Sequence, residues 1–302
     1  MVSATSENPQ QAITTFMASA LGELSSVEAA HAAVLGVPVE QAPGKAASAV
    51  DGARAIREAS LSILQGYTAS PSRTVRDPES GQTSQLKCPL CCVDLGDLVV
   101  DDARENSLLI DATSAAKQIT AAGAVPVFIG GQRAVFCTLL DSIVSRDNAA
   151  LLLISHDLAL PSHAKGLPIA SLGANGLQGR AHWQRVTESG TVISADQLHD
   201  EGVDGAVAAI AAFVAGYQSI YCLVDMAVLD TGHAAGTPDA NIGGLSPQQL
   251  VDVVAKLNLS ARLAGVAVTN VAPGLDLRAQ TEFVAAQVLT TLLSHYLFAE
   301  PA

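Results

Sequence analysis

The sequence predicts an α/β protein built on a parallel β-sheet, and two features of the chain support this class. Hydrophobic residues make up 49% of the 302 residues and aromatic residues only 4%, so the core must consist mainly of Ala, Val, Leu and Ile. Small aliphatic side chains of this kind suit parallel strands that helices cover on both faces. Short apolar runs also alternate with longer segments of helical character, which is the pattern of repeated βαβ units.

Eight apolar runs have the length of buried strands. They are Ala30–Val37, Cys91–Leu95, Val125–Ile129, Ala149–Ser155, Pro168–Leu172, Thr191–Ser194, Ser219–Val224 and Leu263–Thr269. The segments between them are amphipathic or rich in alanine and have the length of helices. They are Val50–Leu64, Leu109–Ala122, Arg133–Val144, Gly179–Glu188, Val203–Ala215, Pro247–Leu257 and Leu277–Phe298.

Two segments fall outside this alternation. Gln10–Leu24 is predicted to form a helix attached outside the sheet, so residues 1–28 are interpreted as an N-terminal helical extension. Residues 70–85 are rich in Ser, Pro, Arg and Asp and show no periodicity, which predicts a surface loop. Because too few strands precede this loop to form a domain of their own, residues 1–302 are predicted to form a single domain.

The charge balance restricts the kinds of partner. The chain has 16 Lys and Arg residues against 29 Asp and Glu residues, a formal net charge of -13. Because each phosphate contact needs a cation, this composition argues against nucleic acid and anionic membranes as partners. No stretch reaches about 18 apolar residues without a polar interruption, so no membrane span is expected. Residues 1–10 lack the basic start and apolar run of an export signal, so the expected location is the cytoplasm.

The cysteines of a long chain without an export signal are expected to be free thiols in a reducing compartment. The five are Cys88, Cys91, Cys92, Cys137 and Cys222. The first three have the close spacing of a metal knuckle. No second Cys or His pair completes a set of four ligands, so a zinc site is not expected there.

The residues that directly follow the strands are the first candidates for a site, because ligands of parallel sheets bind at the carboxyl ends of the strands. These residues are Gly130–Arg133, Ser155–Leu158, Asp225–Asp230 and Asn270–Asp276.

Two simple interpretations of these residues, a phosphate-binding glycine loop and a hydrolytic triad, are not favoured. Two glycines before Arg133 lack the spacing of a dinucleotide-binding loop, so a tight turn is the better interpretation. Ser155-His156-Asp157 has the composition of a hydrolytic triad, but neighbouring side chains on a strand point to opposite faces.

Four segments of the chain match known signatures in order and spacing. They are Gly36–Pro38 with Gly52–Ser60, Val93–Asp97, Gly130–Arg133 and Asp225–Ser246. Together they resemble the signatures GVP…GPRAIREAS, VDLGD, Gly-Gly-Asp-His and DxDxLDP…PGT…PGGL(T/S) of the arginase/agmatinase (ureohydrolase) family. The resemblance extends over nearly the whole chain and implies a three-layer α/β/α sandwich with a mostly parallel sheet of about eight strands.

The family holds two divalent ions, usually manganese, with two His and four Asp, and a bridging water attacks a guanidinium carbon. Residue by residue, the resemblance keeps only His156 and Asp225 of these six ligands. A shift of this alignment by one residue would gain Asp157 as a ligand but lose His156. The family also has a Glu near the end of the chain that helps to hold the substrate's guanidinium, and this Glu has no counterpart here. The pocket that corresponds to the family's active site is predicted to keep His156, Asp225 and Asp230. Three family residues are replaced in it: a ligand His by Arg133, a ligand Asp by Ala227, and the Glu by Asn270.

The electrostatics of this pocket lead to an expectation about metals. One carboxylate and one imidazole beside the permanent positive charge of Arg133 are a poor site for two divalent ions. Arg133 is instead expected to form an ion pair with Asp225. No confident catalytic residue and no bound metal are expected. The alternative is a single divalent ion, manganese or another metal, at His156 and Asp225.

The function predicted from these residues is that of a ureohydrolase-like protein without catalysis, which acts through assembly or ligand sensing. The resemblance implies a homo-oligomer, a trimer or a hexamer, or a hetero-oligomer with an active paralogue. The alternative is an active, agmatinase-like C–N hydrolase of a guanidino or amidine compound with a rearranged metal site. A third interpretation is a binding module in which Arg133 holds an anion such as a carboxylate.

Overall fold

The structure is a computed structural model that describes residues 14–39, 49–69, 72–76, 81–87, 91–99, 107–133, 136, 139–140, 148–160 and 166–299. Its strands are β1 (Ala20–Leu21), β2 (Ala32–Gly36), β3 (Thr74–Arg76), β4 (Thr83–Leu86), β5 (Cys92–Asp97), β6 (Val125–Ile129), β7 (Ala149–Ile154), β8 (Ile169–Ala174), β9 (Thr191–Ser194), β10 (Ser219–Asp225), β11 (Leu263–Thr269) and β12 (Phe298–Ala299). Its α-helices are α1 (Gly52–Thr68), α2 (Ser107–Ala121), α3 (Arg180–Ser189), α4 (Ala195–Val214), α5 (Pro247–Leu257), α6 (Gln280–Leu292) and α7 (Ser294–Leu297). Short 3-10 helices lie at Phe16–Ala18, Leu24–Ala29, Met226–Val228, Ser260–Arg262 and Pro273–Leu275.

Among the described residues, nine strands form one large sheet in the order β1-β5-β2-β6-β11-β10-β7-β8-β9. Every neighbouring pair in this sheet is parallel. The predicted parallel sheet is therefore confirmed, with one strand more than expected. The remaining strands form a small antiparallel sheet in the order β12-β4-β3.

Two hydrophobic cores lie on opposite faces of the large sheet. Val127 packs in one core and Phe128, the next residue of β6, packs in the other, as the alternation of side chains along a strand requires. Helices α1, α4, α5 and α6 contribute to the first core, and α2 and α3 to the second. The sheet is buried between two helical layers, which confirms the predicted three-layer α/β/α sandwich.

The helical extension predicted for residues 1–28 is wrong where the structure describes it. Of the predicted helix Gln10–Leu24, residues 10–13 lie outside the described residues, and the rest contains a short 3-10 helix and strand β1. Strand β1 pairs with β5 at the edge of the large sheet, with Ala20 opposite Val93. A strand of two residues is too short to leave a periodic pattern in the sequence.

The segment 70–85, predicted as a surface loop, contains strands β3 and β4 in its described part. They pair antiparallel, with Val75 opposite Ser84, and β4 pairs in turn with β12. The prediction failed because these strands are mostly polar and, apart from Leu86, are not buried. They therefore lack the apolar run that identifies a buried strand.

The predicted helices agree with the structure in most places. Helix α5 has the predicted bounds, and Ser246 caps it by accepting a hydrogen bond from the Gln249 N–H at 3.2 Å. The C-terminal helix predicted over Leu277–Phe298 is instead divided into α6 and α7. Of the helix predicted over Arg133–Val144, the described residues 133, 136 and 139–140 are helical and the others lie outside the described part. Within the described residues, none of the helices has the length and apolar character needed to cross a bilayer.

A buried ion pair attaches α1 to β5. Arg57 donates through Nε to Asp94 Oδ2 at 2.8 Å and through Nη2 to Asp94 Oδ1 at 2.9 Å, and the Asp94 side chain is fully buried. Arg57 Nη1 also donates to Asp97 Oδ1 at 2.5 Å. Two of the sequence signatures, Gly52–Ser60 and Val93–Asp97, are thus in direct contact, and in this protein the contact supports the fold.

Candidate functional site

Four neighbouring strands of the large sheet, β6, β11, β10 and β7, end at the same edge. Polar residues lie at or just beyond each carboxyl end: Arg133 after β6, Asn270 after β11, Asp225 at the end of β10 and Ser155–Asp157 after β7. The parallel arrangement brings together side chains that are far apart in sequence. We call Arg133, Ser155, Asp157, Asp225 and Asn270 the Arg133 cluster.

Arg133 lies between two carboxylates. Its Nη2 donates to Asp157 Oδ1 at 2.5 Å, and its Nη1 lies 3.3 Å from Asp225 Oδ2. Its Nη1 also donates to the Ser155 hydroxyl. Only 13% of the Arg133 side chain and 1% of the Asp225 side chain are exposed. The ion pair between Arg133 and Asp225 that the sequence predicted is present, and Asp157 is a second partner.

Both oxygens of the Asp225 carboxylate have hydrogen-bond donors. Oδ1 accepts from the Ala227 backbone N–H at 3.0 Å and from Asn270 Nδ2 at 2.9 Å. Oδ2 accepts from the Ser155 hydroxyl at 3.2 Å and faces Arg133. The buried charge of Asp225 is therefore compensated by one cation and three neutral donors, as a buried carboxylate requires.

The backbone between β6 and the cluster runs through a tight turn. Gly130 and Gly131 have φ angles of 80° and 72°, which side chains disfavour. A Cβ on Gly130 would lie 2.7 Å from the Ala53 backbone nitrogen, so helix α1 also requires a glycine there. The carbonyl of Gly131 accepts from the Asn270 N–H at 2.9 Å, which ties the turn to the end of β11. The turn interpretation of the two glycines agrees with this geometry.

His156 lies beside the cluster. Its Nε2 is 3.6 Å from Asp157 Oδ2, and its Nδ1 is buried without a hydrogen-bond partner. Within the described residues, the Ser155 hydroxyl forms hydrogen bonds with Arg133 and Asp225 and not with the His156 ring. Ser155, His156 and Asp157 are therefore not arranged as a catalytic triad, in agreement with the sequence interpretation.

Asp230 and Ala227 differ from the other predicted pocket residues. The Asp230 carboxylate accepts from the Gly232 N–H and the Gly243 N–H, each at 2.7 Å, and so closes the loop after β10. The Gly243 hydrogen bond, followed by that of Gly232, lowers the pKa of Asp230 below its ordinary value. Ala227 is buried and contributes its backbone N–H to Asp225.

Sequence reasoning missed the parts that Ser155 and Asp157 take in the cluster. Asp157 accepts from Arg133 and also from the Ala159 N–H at 2.8 Å, which fixes the chain after β7. The available signal was their position directly after a buried strand. The sequence places both residues among the candidates that follow a strand, but it does not predict their contacts with Arg133.

The cysteines add no site in the described part of the chain. Cys91 is half-buried and Cys92 is buried, and both are free thiols, while Cys88 lies outside the described residues. Among the residues that the structure describes, no three His, Cys, Asp or Glu side chains are grouped so that they could hold a metal ion.

Known proteins resemble this chain in sequence and in fold. The sequence profile of the Arginase family matches residues 30–158 and 159–294. Formimidoylglutamase of Halobacterium salinarum is 28% identical over 225 residues, 67% of this chain and 72% of that protein. Agmatinase of Enterobacter sp. (strain 638) is 27% identical over 276 residues, 86% of this chain and 85% of that protein.

The fold agrees with the sequence matches. The crystal structure of a hypothetical agmatinase from Burkholderia thailandensis superposes with a TM-score of 0.78 at 21% identity, covering 95% of this chain and 91% of that one. The family profile covers most of this chain, and the resemblance first seen in the four signatures is thereby confirmed. The chain belongs to the arginase family.

Proposed function

We propose that this chain is a ureohydrolase-like protein without catalysis, which acts through assembly or through the sensing of a ligand. The observation that carries the proposal is the position of Arg133 between the Asp157 and Asp225 carboxylates. In the family resemblance Arg133 stands where a metal-binding His is expected. A guanidinium stays positively charged at physiological pH and has donors but no acceptor, so it cannot be a metal ligand.

The donors of the cluster do not fit the two divalent ions that the family implies. Both Asp225 oxygens accept hydrogen bonds, and Asp157 Oδ1 accepts from both Arg133 and Ala159. Ala227 provides a methyl group where the resemblance has a second Asp. An ion at Asp225 would have to displace the guanidinium, because two cations cannot share this space without strong repulsion.

The retained scaffold supports a role that does not need chemistry. The nine-stranded sheet and the contact between Arg57 and Asp94 preserve the fold, while most of the residues at the old ligand positions differ and only His156 and Asp225 are kept. A protein under selection for assembly or ligand sensing would keep the fold and lose the ligands. We include in the proposal a homo-oligomer, a trimer or a hexamer, or a hetero-oligomer with an active paralogue, located in the cytoplasm and without a cofactor.

The interpretation of Arg133 as a site for a carboxylate ligand is not favoured. Its Nη1 and Nη2 atoms already face the carboxylates of Asp157 and Asp225. A third anion would add a like charge to a cluster that already has two negative groups for one positive group.

The test is the metal content of the purified chain, measured by elemental analysis after growth in medium with added manganese or nickel. Release of urea from agmatine and other guanidino compounds is measured on the same sample. We expect far less than one ion per chain and no manganese-dependent release of urea. One or two ions per chain together with turnover would overturn the proposal.

An active metal-dependent C–N hydrolase of a guanidino or amidine compound, with a rearranged site, is the second candidate. The buried His156 Nδ1 without a partner favours it, because a neutral imidazole nitrogen of this kind is a common metal ligand. This candidate requires a tightly bound ion that is lost in His156→Ala and Asp225→Ala. The variant His199→Ala, on the exposed side of α4, serves as the matched control and should keep the ion.

A further inference from the structure

A cavity lies far from the Arg133 cluster. Its volume is about 880 Å³, and strands β3, β4 and β12 and helices α5 and α6 contribute to its walls. Asn258, which directly follows α5 and precedes β11, lines it together with His295 of α7. The neighbour of His295, Tyr296, stacks on His31, which directly precedes β2. The cavity therefore lies at the amino ends of the strands, whereas the Arg133 cluster lies at their carboxyl ends.

One wall of the cavity is apolar. The rings of Tyr67 and Phe298 meet edge to face, with their centroids 5.2 Å apart and an interplanar angle of 86°. Val75 of β3 and Val251 of α5 also line this space. Such a wall favours the flat or branched apolar body of a ligand, because burial of apolar surface is its main source of affinity.

The described residues that line the cavity include two cations, Arg76 and Lys87, and the imidazole of His295. These sixteen described residues include no Asp or Glu. Within the described part of the chain, neither Arg76 nor Lys87 forms a salt bridge. In a chain with a formal net charge of -13 this is a local reversal of sign, and it would attract anions to the cavity.

The position of Lys87 is fixed by its backbone and by its side chain. Its Nζ donates to the His295 carbonyl at 2.9 Å, and its N–H donates to the Leu297 carbonyl, also at 2.9 Å. An ammonium group has three donors, so two remain for a ligand. The cation is thus held at the junction of β4 and α7 and can still donate to an acceptor in the cavity.

We propose that this cavity binds a small organic anion, with a carboxylate or phosphate head at Arg76 and Lys87 and an apolar body against Tyr67 and Phe298. The volume lies in the range of roughly 300 to 1,000 Å³ that is usual for small-molecule sites. The proposal goes beyond the proposed function, because it uses no residue of the Arg133 cluster and holds whether or not that cluster supports catalysis.

The test is calorimetric titration of the full chain with four probes: phenylacetate, phenyl phosphate, the neutral phenylacetamide and inorganic phosphate. We expect phenylacetate or phenyl phosphate to bind, and the stronger of the two identifies the preferred head group. Phenylacetamide should bind about tenfold more weakly, because its neutral amide oxygen accepts a weaker hydrogen bond from a cation than a carboxylate does. Inorganic phosphate should also bind more weakly, because it has no apolar body to bury.

Variants then assign the site. Arg76→Gln and Lys87→Gln should each weaken binding of the preferred probe about tenfold. The control Arg278→Gln, an exposed cation that follows β11 at the opposite end of the sheet, should leave binding unchanged. Val251→Trp should block the cavity by filling it, whereas Val251→Ala should not.

Three results would overturn the proposal: no heat from any probe at millimolar concentration, equal affinity for phenylacetate and phenylacetamide, or affinity that is unchanged in both Arg76→Gln and Lys87→Gln. The metal content of these variants is measured in parallel. Because the cavity and the Arg133 cluster share no residues, failure of this proposal and failure of the proposed function give different results.

Discussion

Arg133 Nη1 lies 3.3 Å from Asp225 Oδ2, and this contact joins the carboxyl ends of β6 and β10 at the centre of the sheet. Asp225 is 1% exposed, so its charge must be balanced within the protein. Arg133 contributes one positive charge there, in the region where the family resemblance implies metal ions. The stability of the described fold therefore depends on Arg133.

The substitution Arg133→Met is expected to reduce the free energy of unfolding by about 3 to 5 kcal/mol, because it leaves a buried carboxylate without its cation. Urea-induced unfolding followed by circular dichroism measures this change. The control Arg180→Met, on the exposed first turn of α3, should change stability by less than about 0.5 kcal/mol.

The double variant Arg133→Met with Asp225→Asn is expected to be more stable than Arg133→Met alone. Removal of both charges avoids an unpaired buried ion. The loss of unfolding free energy in the double variant should therefore be about 1 to 3 kcal/mol smaller than the sum of the losses in the two single variants. Strictly additive losses in the same unfolding experiment would mean that the two side chains do not interact in solution.

The buried pair of Arg57 and Asp94 allows a comparison within one helix. Arg57→Met should cost about 3 to 5 kcal/mol of unfolding free energy, because Asp94 would be left buried and unpaired. Arg54→Met, three residues earlier in α1, removes contacts with Asp51 and Glu58 that are largely exposed. It should cost less than about 1 kcal/mol. Equal losses in thermal or urea unfolding would contradict the assignment of Arg57 as the residue that attaches α1 to β5.

The central strands are predictable from the sequence because they are continuous apolar runs. Val125–Ile129 and Leu263–Thr269 have the same bounds in the sequence interpretation and in the structure. The contact between Arg133 and Asp225 is predictable as well. Both residues lie at or just beyond strands of one parallel sheet, and they carry opposite charges.

The path of the chain beyond each strand is not predictable in the same way. Asp157 reaches Arg133 because its own hydrogen bond with the Ala159 N–H turns the chain after β7. No periodic pattern encodes such a turn. Ala20–Leu21 and Thr83–Leu86 were missed for a related reason, because short or exposed strands leave no apolar run.

Asp230 should contribute to stability in a pH-dependent manner. Hydrogen bonds from the Gly243 and Gly232 N–H groups lower its pKa in the folded state, so the unfolded chain takes up the proton more readily. The stabilisation is therefore present above the ordinary Asp pKa of about 3.9 and is lost as the pH falls through the lower folded value.

We expect Asp230→Asn to be less stable than the wild type at pH 7 and to approach it as the pH falls below about 4. Urea unfolding at a series of pH values measures the difference. The control Asp200→Asn, exposed on α4, should show no comparable trend. A constant difference between Asp230→Asn and the wild type down to pH 2 would rule out this linkage.

The described cysteines should differ in reactivity. Burial raises the pKa of Cys222 to about 12 and raises that of Cys92 well above the ordinary thiol range. Brief treatment of the folded protein with iodoacetamide at pH 8, followed by peptide mass mapping, should modify the half-buried Cys91 and leave Cys92 and Cys222 unmodified. All three should react in concentrated urea. Rapid modification of Cys222 in the native state would show that β10 is more accessible than its burial indicates.

Two substitutions would restore ligands that the family resemblance implies. Arg133→His replaces the guanidinium with an imidazole, and Ala227→Asp adds a carboxylate close to Asp225 on the same 3-10 turn. With His156 and Asp157 nearby, the double variant would have several neutral or anionic ligands and no fixed cation. We expect it to retain manganese after dialysis, with at least one ion per chain by elemental analysis, where the wild type retains far less.

A matched control separates removal of the cation from the addition of ligands. The variant Arg133→Met with Ala227→Asp has the same new carboxylate but no imidazole at position 133, and it should bind manganese more weakly than the double variant with His. Manganese should also raise the thermal midpoint of the His-containing variant, because a ligand that binds only the folded state stabilises it. If neither variant binds metal, features beyond Arg133 and Ala227 prevent binding. If the wild type binds as much as the variants, Arg133 does not exclude metal and the proposed function is wrong.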